Sequence, residues 1–207
     1  AGSIMGYAAC EGMIQYGLEY MSQRQAFGKP INKFQVLRHK VAQLSAETEA
    51  IKFYVLQTCR MHNEGKYAVK ESSISKLLAS ELADKCAYQI LQVFGGYGYM
   101  EEYKIARAFR DSRIGTIGGG TSEIMREILA KMIIDDAIIY HKKISDYELT
   151  FRGDNRDGIL AASIYISCRI NNFPRTAKEI ATIFNLDVTS ATKGCKNAQL
   201  IINNLEK

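Results

Sequence analysis

The chain has 207 residues, of which 47% are hydrophobic and 24% are charged, a balance typical of a globular protein with one or two domains. Its formal net charge of +5 is too small to indicate nucleic-acid binding from charge alone. Five cysteines without a Cys-x-x-Cys pair argue against a disulfide framework or a zinc site and favour a cytoplasmic, reducing compartment. No uninterrupted apolar run approaches the ~20 residues that a membrane helix needs, and no targeting segment is recognisable. We therefore expect neither a metal site nor a membrane partner.

Apolar residues recur at helical spacing through most of residues 1–136. The clearest ladder, which ends at Gly95-Gly96, is formed by Ile74, Leu78, Leu82, Cys86 and Ile90. Other helices are predicted over residues 1–23, 33–63 and 101–113, followed by a last helix with Ile124, Ile128 and Met132 on one side. A turn is predicted at Gly28 and Pro30. This order predicts an all-α, antiparallel four-helix bundle.

The pattern changes after Asp136, and residues 137–207 are predicted to form a second helical domain. A helix over residues 159–170 is apolar nearly all round, which is typical of the central helix of a small domain. Thr176 and Glu179 form a capping-box pattern that opens a short helix. A last helix is predicted over residues 189–205, so that the two final helices are similar to a helix-turn-helix.

The strongest chemical signal is the run from Gly118 to Glu123, which leads directly into a helix. Glycines allow a ligand to approach the backbone closely, and the free N–H groups at a helix start attract an anion or a carbonyl oxygen. Taken alone, this pattern is more typical of an ordinary turn than of a phosphate site.

Three further segments change that interpretation. They are Arg24 to Ile31 followed by Phe34-Gln35, Gln92 to Tyr99, and Arg110 to Ile114. In this order and spacing they resemble the C-terminal helical domain of the acyl-CoA dehydrogenases. The resemblance covers residues 1 to about 136 without a gap, and the chain, which starts at Ala1 within a helical pattern, is expected to be truncated at its N-terminus.

The resemblance implies a homotetramer in which each FAD lies between subunits. Arg24 and Gln35 are then expected to contact the FAD pyrophosphate and its surroundings. The segment formed by Gln92, Val93, Phe94, Gly95 and Gly96 is expected to embrace the dinucleotide of a neighbouring subunit. Thr121, Ser122 and Glu123 are expected to complete the flavin site.

The family's reaction is the α,β-dehydrogenation of an acyl-CoA thioester, in which a carboxylate removes the α-proton. Many members carry this glutamate at the position of Gly119, which has no side chain to accept a proton. The resemblance to the isovaleryl-type and long-chain-type branches implies a glutamate on the preceding helix, upstream of Ala1. Gly119 and Gly120 remain the predicted substrate-binding residues, because the Gly119 amide is expected to polarise the thioester carbonyl. Without that glutamate and the β-domain, the chain as given is expected to be an inactive fragment.

Residues 137–207 contain a second set of motifs, Ala161 to Arg169 and Cys168 to Ile180. They resemble part of one cyclin-like repeat of transcription initiation factor IIB. This resemblance implies TATA-binding protein, promoter DNA and RNA polymerase as partners. Arg175, Lys178, Lys193 and Lys196 are the candidates for phosphate contacts, although solvated helix charges are an equally good interpretation.

Three interpretations are open. The chain is the tail of an acyl-CoA dehydrogenase with a foreign segment attached, a transcription-factor fragment preceded by foreign sequence, or a bifunctional fusion. The first is favoured because its match is longer and its site motifs are sharper. The fusion is least favoured, because no Gly-, Ser- or Pro-rich linker separates the two parts.

Overall fold

A computed structural model describes residues 2–145, 154–171 and 173–205. Within these ranges the chain forms eight α-helices and one two-stranded hairpin, so the all-α prediction is confirmed. The chain divides into two compact units, a first unit of Ala1–Ile128 and a second unit of Leu129–Lys207. The domain boundary inferred from the motifs, at residue 136, stays a prediction.

The secondary-structure elements follow one another closely along the chain. They are α1 (Gly2–Gln23), β1 (Gln25–Ala26), β2 (Lys29–Pro30), a 3-10 turn (Ile31–Lys33), α2 (Gln35–Asn63), α3 (Val69–Phe94), a second 3-10 turn (Gly95–Tyr99), α4 (Lys104–Ser112), a third 3-10 turn (Arg113–Thr116), α5 (Ser122–Ser145), α6 (Asp154–Ile170), α7 (Ala177–Ile183) and α8 (Val188–Leu205). None of the helices in the described ranges combines the length and apolar character needed to cross a bilayer.

Consecutive long helices of the first unit are antiparallel, as predicted. The Lys85 Nζ atom of α3 donates to Glu47 of α2 at 2.7 Å, and the hydroxyls of Thr58 and Ser75 lie 3.0 Å apart. Helices α1 and α3 run in the same direction and pack closely, because small residues face each other across them. A Cβ atom added to Gly6 would lie 3.0 Å from the carbonyl oxygen of Ala79.

An aromatic cluster closes the bundle at the C-terminal ends of α1 and α3. The ring centroid of Phe94 lies 4.0 Å from that of Tyr20 and 5.0 Å from that of Tyr16, both on α1. Tyr103, just before α4, meets the Phe94 ring edge-on at 5.9 Å. The Phe94 side chain therefore belongs to the core, which the helical periodicity of α3 predicts.

Two local predictions differ from the structure. The segment around Gly28 is a tight β-hairpin with positive φ at Phe27 (51°) and Gly28 (78°), where the sequence predicted only a turn. In the first half of α5 the buried apolar residues are Met125 and Leu129, whereas Ile124, from the predicted apolar side, is 51% exposed. The apolar character of Ile124 does not predict its burial, because the position of the neighbouring helices also decides which side of α5 is packed.

In the second unit, α6 is buried along most of its length, as its apolar sequence predicts. The buried surface of this unit is not purely apolar, because Ser163, Ser167 and Asn171 are also buried. Ser163 donates its hydroxyl proton to the Ile159 carbonyl oxygen at 2.9 Å, and the Asn171 amide donates to the Asp136 carboxylate at 2.7 Å. These bonds satisfy polar groups that would otherwise make burial costly.

The predicted capping box at the start of α7 is confirmed. The backbone N–H of Thr176 donates to the Glu179 carboxylate at 2.6 Å, and the Glu179 N–H donates to the Thr176 hydroxyl oxygen at 3.2 Å. The hydrogen bond from the Thr176 backbone N–H lowers the pKa of the Glu179 carboxyl most, and the hydrogen bond from the Thr176 hydroxyl lowers it further. The contribution of this box to helix stability is thus present at neutral pH and is lost as the pH falls through that depressed pKa.

Candidate functional site

The glycine segment, defined here as Gly118–Gly120, connects the 3-10 turn after α4 to the start of α5. The Gly118 N–H donates to the Ile114 carbonyl oxygen at 2.7 Å, which fixes the beginning of the segment. Gly119 and Gly120 have φ values of +66° and +98°, in the left-handed region that favours glycine. A Cβ atom added to Gly119 would meet nothing within 4 Å. The Gly119 backbone is therefore open to an approaching ligand.

Helix α5 begins directly after the glycine segment. The Thr121 hydroxyl oxygen accepts the N–H of Ile124 at 3.2 Å, so Thr121 caps the helix. The neighbouring Ser122 is only 5% exposed, and its hydroxyl oxygen has no hydrogen-bond partner among the described residues. A buried, unpartnered hydroxyl at a helix start is the kind of group that a bound polar ligand satisfies.

A cavity of about 960 Å³, called here the α1–α4 cavity, lies within the first unit and reaches the glycine segment. Most of its surface is apolar or backbone. Its walls include Met5, Ala9 and Met13 of α1, Lys76 and Ala83 of α3, Ile105 and Ala108 of α4, and Ile114, Gly115, Gly118 and Gly119 after α4. An apolar cavity with backbone and a few polar groups at its edge suits a ligand with one apolar and one polar end.

Two carboxylates, those of Glu19 and Asp111, also line the α1–α4 cavity. Glu19 accepts a hydrogen bond from the Gln15 amide at 2.9 Å, within the same helix. Glu11, the other acid of α1, pairs with Lys52 of α2 at 2.7 Å. Glu11 therefore pairs α1 with α2 through its charge.

Arg24 lies in the link between α1 and the hairpin, where it is exposed. Its guanidinium carbon lies 5.3 Å from the ring centroid of Tyr97, in a cation–π arrangement. Gln35 is exposed at the first turn of α2, where its amide nitrogen lies 3.4 Å from His39 Nε2. Nothing in the sequence indicated the contact with Tyr97, because the two residues are far apart along the chain.

The segment from Gln92 to Gly96 contains both exposed and buried residues. Gln92, Gly95 and Gly96 are exposed, whereas the side chains of Val93 and Phe94 are buried in the core. A ligand at this segment would therefore meet the Gln92 side chain and the bare glycine backbone, with Val93 and Phe94 contributing only main-chain atoms. Gly95 has a φ of +58°, which turns the chain sharply at the end of α3.

Thr121, Ser122 and Glu123 line a separate cavity of about 310 Å³, together with Asp84, Lys85 and Arg113. Arg113 pairs with Asp84 at 3.3 Å. The Glu123 carboxylate accepts its own backbone N–H and a hydrogen bond from the Thr121 side chain, and these interactions lower the pKa of Glu123. The structure thus groups Arg24 with the end of α3 and places the start of α5 at another cavity.

These groups fit the chemistry of a dinucleotide. The Arg24 guanidinium is accessible to a pyrophosphate, Gly95 and Gly96 leave the backbone bare, and Ser122 offers an unpartnered hydroxyl. Within the described part of the chain, no three His, Cys, Asp or Glu side chains form a group that could hold a metal ion. All five cysteines are free thiols.

In the second unit, the four predicted phosphate-contacting residues are exposed: Arg175, Lys178, Lys193 and Lys196. Lys193 and Lys196 are three residues apart on α8 and therefore lie on one side of that helix.

Comparison with known proteins assigns the two parts of the chain differently. The family model described as "Acyl-CoA dehydrogenase, C-terminal domain" matches residues 2–134, and the one described as "Transcription factor TFIIB repeat" matches residues 126–198. The first match covers most of the chain, so the chain belongs to the acyl-CoA dehydrogenase family. The two matches overlap within α5, at residues 126–134.

The relatives agree with this assignment. The long-chain specific acyl-CoA dehydrogenase of Rattus norvegicus is 38% identical over 133 residues, which are 64% of this chain and 31% of the relative. The structure of butyryl-CoA dehydrogenase from Megasphaera elsdenii matches with a TM-score of 0.63 and 33% identity, over 64% of this chain and 35% of that one. A structure described as the FAD complex of PigA matches with a TM-score of 0.60 and 29% identity, over 62% and 34% of the two chains. The chain therefore spans about a third of the length of these proteins.

Proposed function

We propose that residues 1–136 form the C-terminal helical bundle of a FAD-dependent acyl-CoA dehydrogenase that works as a homotetramer. The observation that carries this proposal is the α1–α4 cavity, which is apolar along its walls and reaches the open backbone of Gly119. An acyl chain is apolar, and its thioester carbonyl needs a hydrogen-bond donor. The cavity provides apolar walls for the acyl chain, and the adjacent glycine segment provides the backbone N–H for the carbonyl.

In this proposal Gly119 acts through its backbone and not as the base. Its N–H donates to the thioester oxygen and stabilises the negative charge that develops there when the α-proton leaves. The carboxylate that takes the α-proton is not at position 119, since glycine has none. Bound FAD would supply the hydride acceptor for this reaction, and the residues that would hold it are Arg24, Gln35, the segment Gln92–Gly96 and Thr121–Glu123.

The choice of branch rests on Gly119 and on the relatives. Three long-chain specific enzymes, among them that of Rattus norvegicus, are 38% identical to this chain. We therefore favour an acyl-CoA with a long or branched chain as the substrate.

Two neighbouring alanines of α1 test the cavity. Ala8 and Ala9 are both exposed, but only Ala9 lines the α1–α4 cavity. We expect the full chain to bind a long-chain acyl-CoA more tightly than free CoA, because each buried methylene contributes about 0.8 kcal/mol. Ala9→Phe should fill the cavity and weaken that binding by tenfold or more, about 1.4 kcal/mol. Isothermal titration calorimetry measures all three affinities.

The matched control is Ala8→Phe, which adds the same side chain to the same helix outside the cavity and should leave acyl-CoA affinity unchanged. Equal losses in Ala8→Phe and Ala9→Phe, or no preference of the parent chain for acyl-CoA over CoA, would contradict the proposed function.

A second candidate function concerns residues 137–207, and it is favoured by the match to the TFIIB repeat and by the exposed lysines of α8. In this proposal the second unit binds promoter DNA through its phosphates, with TATA-binding protein and RNA polymerase as further partners.

Replacing Lys193 and Lys196 with alanine should weaken binding to duplex DNA and lower the slope of log affinity against log salt by about 2. Fluorescence anisotropy over a salt series measures that slope, and Lys142→Ala with Lys143→Ala is the charge-matched control. Equal slopes for the parent and the α8 variant would reject this function.

A further inference from the structure

Lys76 of α3 connects the glycine segment to the helical bundle. Its ammonium group donates a hydrogen bond to the carbonyl oxygen of Gly120, 44 residues further along the chain. The same side chain lines the α1–α4 cavity. Among the described residues no carboxylate lies within ion-pair distance of Lys76, so its charge is directed at the peptide carbonyl.

The glycine segment needs such a contact. Three consecutive glycines have no side chains to pack, and glycine has more conformational freedom to lose than any other residue. The structure holds the two ends of the segment, through Gly118 N–H to Ile114 and through the Thr121 cap. Between these ends, the hydrogen bond from Lys76 is the one that joins the segment to another helix in the described ranges.

The Gly119 amide depends on this arrangement. Gly119 is exposed and lines the α1–α4 cavity, and its N–H has no acceptor recorded within the described ranges. A donor of this kind is useful only if it is held in place before the ligand arrives, since ordering it during binding would cost conformational entropy. The neighbouring peptide must therefore be anchored, and Lys76 is its anchor.

We propose that Lys76 is a positioning residue, which fixes the Gly119–Gly120 backbone so that the Gly119 N–H is presented to a thioester carbonyl in the α1–α4 cavity. The identity of that ligand rests on the proposed function above, whereas the anchoring of the segment does not. Lys76 acts through Gly119 and is not itself a catalytic residue. A hydrogen bond from a charged donor is stronger than one between neutral groups, which suits this purpose.

Nuclear magnetic resonance of the full, ligand-free chain tests the anchoring first. In the parent, the backbone order parameters of Gly119 and Gly120 should be near the rigid value of about 0.85, and in Lys76→Met they should fall below about 0.6. Lys76→Arg, which keeps a charged donor, should restore them. Lys104→Met removes another lysine that lines the same cavity and should leave them unchanged. Unchanged order parameters in Lys76→Met would overturn the proposal.

A second measurement uses acyl-CoA labelled with carbon-13 at the thioester carbonyl. Binding to the parent should lower the carbonyl stretching frequency in the infrared spectrum, and Lys76→Met should lose this shift together with roughly tenfold in affinity. A structural defect elsewhere would weaken binding without removing the shift of the molecules still bound, and this result would overturn the positioning role. If the parent bound no acyl-CoA, the proposed function would fail, while the order parameters would still decide the role of Lys76.

Discussion

Replacing Gly194 with alanine is expected to destabilise the second unit by about 2 kcal/mol or more. A Cβ atom at this position would overlap the carbonyl oxygen of Gly158 and lie 2.7 Å from its carbonyl carbon. Both are backbone atoms of α6, so no side chain can move aside, and α8 must separate from α6. The gain of up to about 1 kcal/mol from alanine in a helix interior is too small to offset this overlap.

The consequence extends beyond one contact, because α6 and α8 share the core of the second unit. Ile159 and Ile166 of α6 pack in one cluster with Ala198, Ile201 and Ile202 of α8. Separating the two helices weakens all of these contacts together. Hydrogen exchange read by mass spectrometry should therefore show faster exchange throughout α6 and α8 in Gly194→Ala.

Gly12→Ala is the control for helix propensity. Gly12 is an exposed glycine of α1, and a Cβ atom added there would meet nothing within 4 Å. This substitution should raise the free energy of unfolding by up to about 1 kcal/mol. If Gly194→Ala behaved like Gly12→Ala in a urea titration, the close crossing of α6 and α8 would be wrong.

The sequence predicted the fold best where large apolar residues recur at helical spacing within one helix. Leu82, Cys86 and Ile90 of the predicted ladder are buried, but Leu78, its second residue, is 43% exposed. At that end of α3 the packing uses Ser73, Ser75 and Ala79 instead. Small residues carry little hydropathy signal, yet they decide how closely two helices approach, so a pattern of large apolar residues misses them.

Helix α5 shows a second limit of sequence reasoning. The change in composition after Asp136 indicated a new domain, but residues 133–138 contain no helix breaker, and α5 continues to Ser145. Composition reflects the surroundings of a segment, whereas helix continuity depends on backbone preferences. The two can change at different places along a chain.

The candidate site shows the same division between local and non-local information. The glycine segment and Thr121 are adjacent in the sequence and directly precede α5. The sequence therefore predicted a helix start there. The contacts of Lys76 with Gly120 and of Arg24 with Tyr97 join residues that are far apart, and no local pattern predicts them. Family resemblance located the segment from Gln92 to Gly96, but only the packing showed which of its side chains are buried.

Ile90→Ala is expected to destabilise the first unit by about 2–5 kcal/mol. Ile90 is fully buried where α1 and α3 pack against each other, in the same cluster as Cys86. Removing its outer side-chain atoms leaves a cavity that helices held by the rest of the core cannot close. Equilibrium unfolding in urea measures this loss directly.

Gly17 makes the origin of that loss testable. A Cβ atom at Gly17 would lie 3.0 Å from Cγ2 and 3.2 Å from Cδ1 of Ile90, so Gly17→Ala alone crowds the core and should not stabilise the chain. Once Ile90 is alanine, both of those atoms are gone, and the new methyl group enters the space that they left. The double variant should then be more stable than Ile90→Ala by about 1 kcal/mol.

A double-mutant cycle over the four chains gives the coupling between the two positions, expected at about 1–2 kcal/mol. The sign is decisive, because helix propensity alone would favour alanine at position 17 to the same extent in both backgrounds. Additive free energies would mean that α1 and α3 do not meet at Gly17 and Ile90. Coupling of the expected sign would show that the bare face of α1 sets how closely it packs on α3, and α1 and α3 both contribute walls to the α1–α4 cavity.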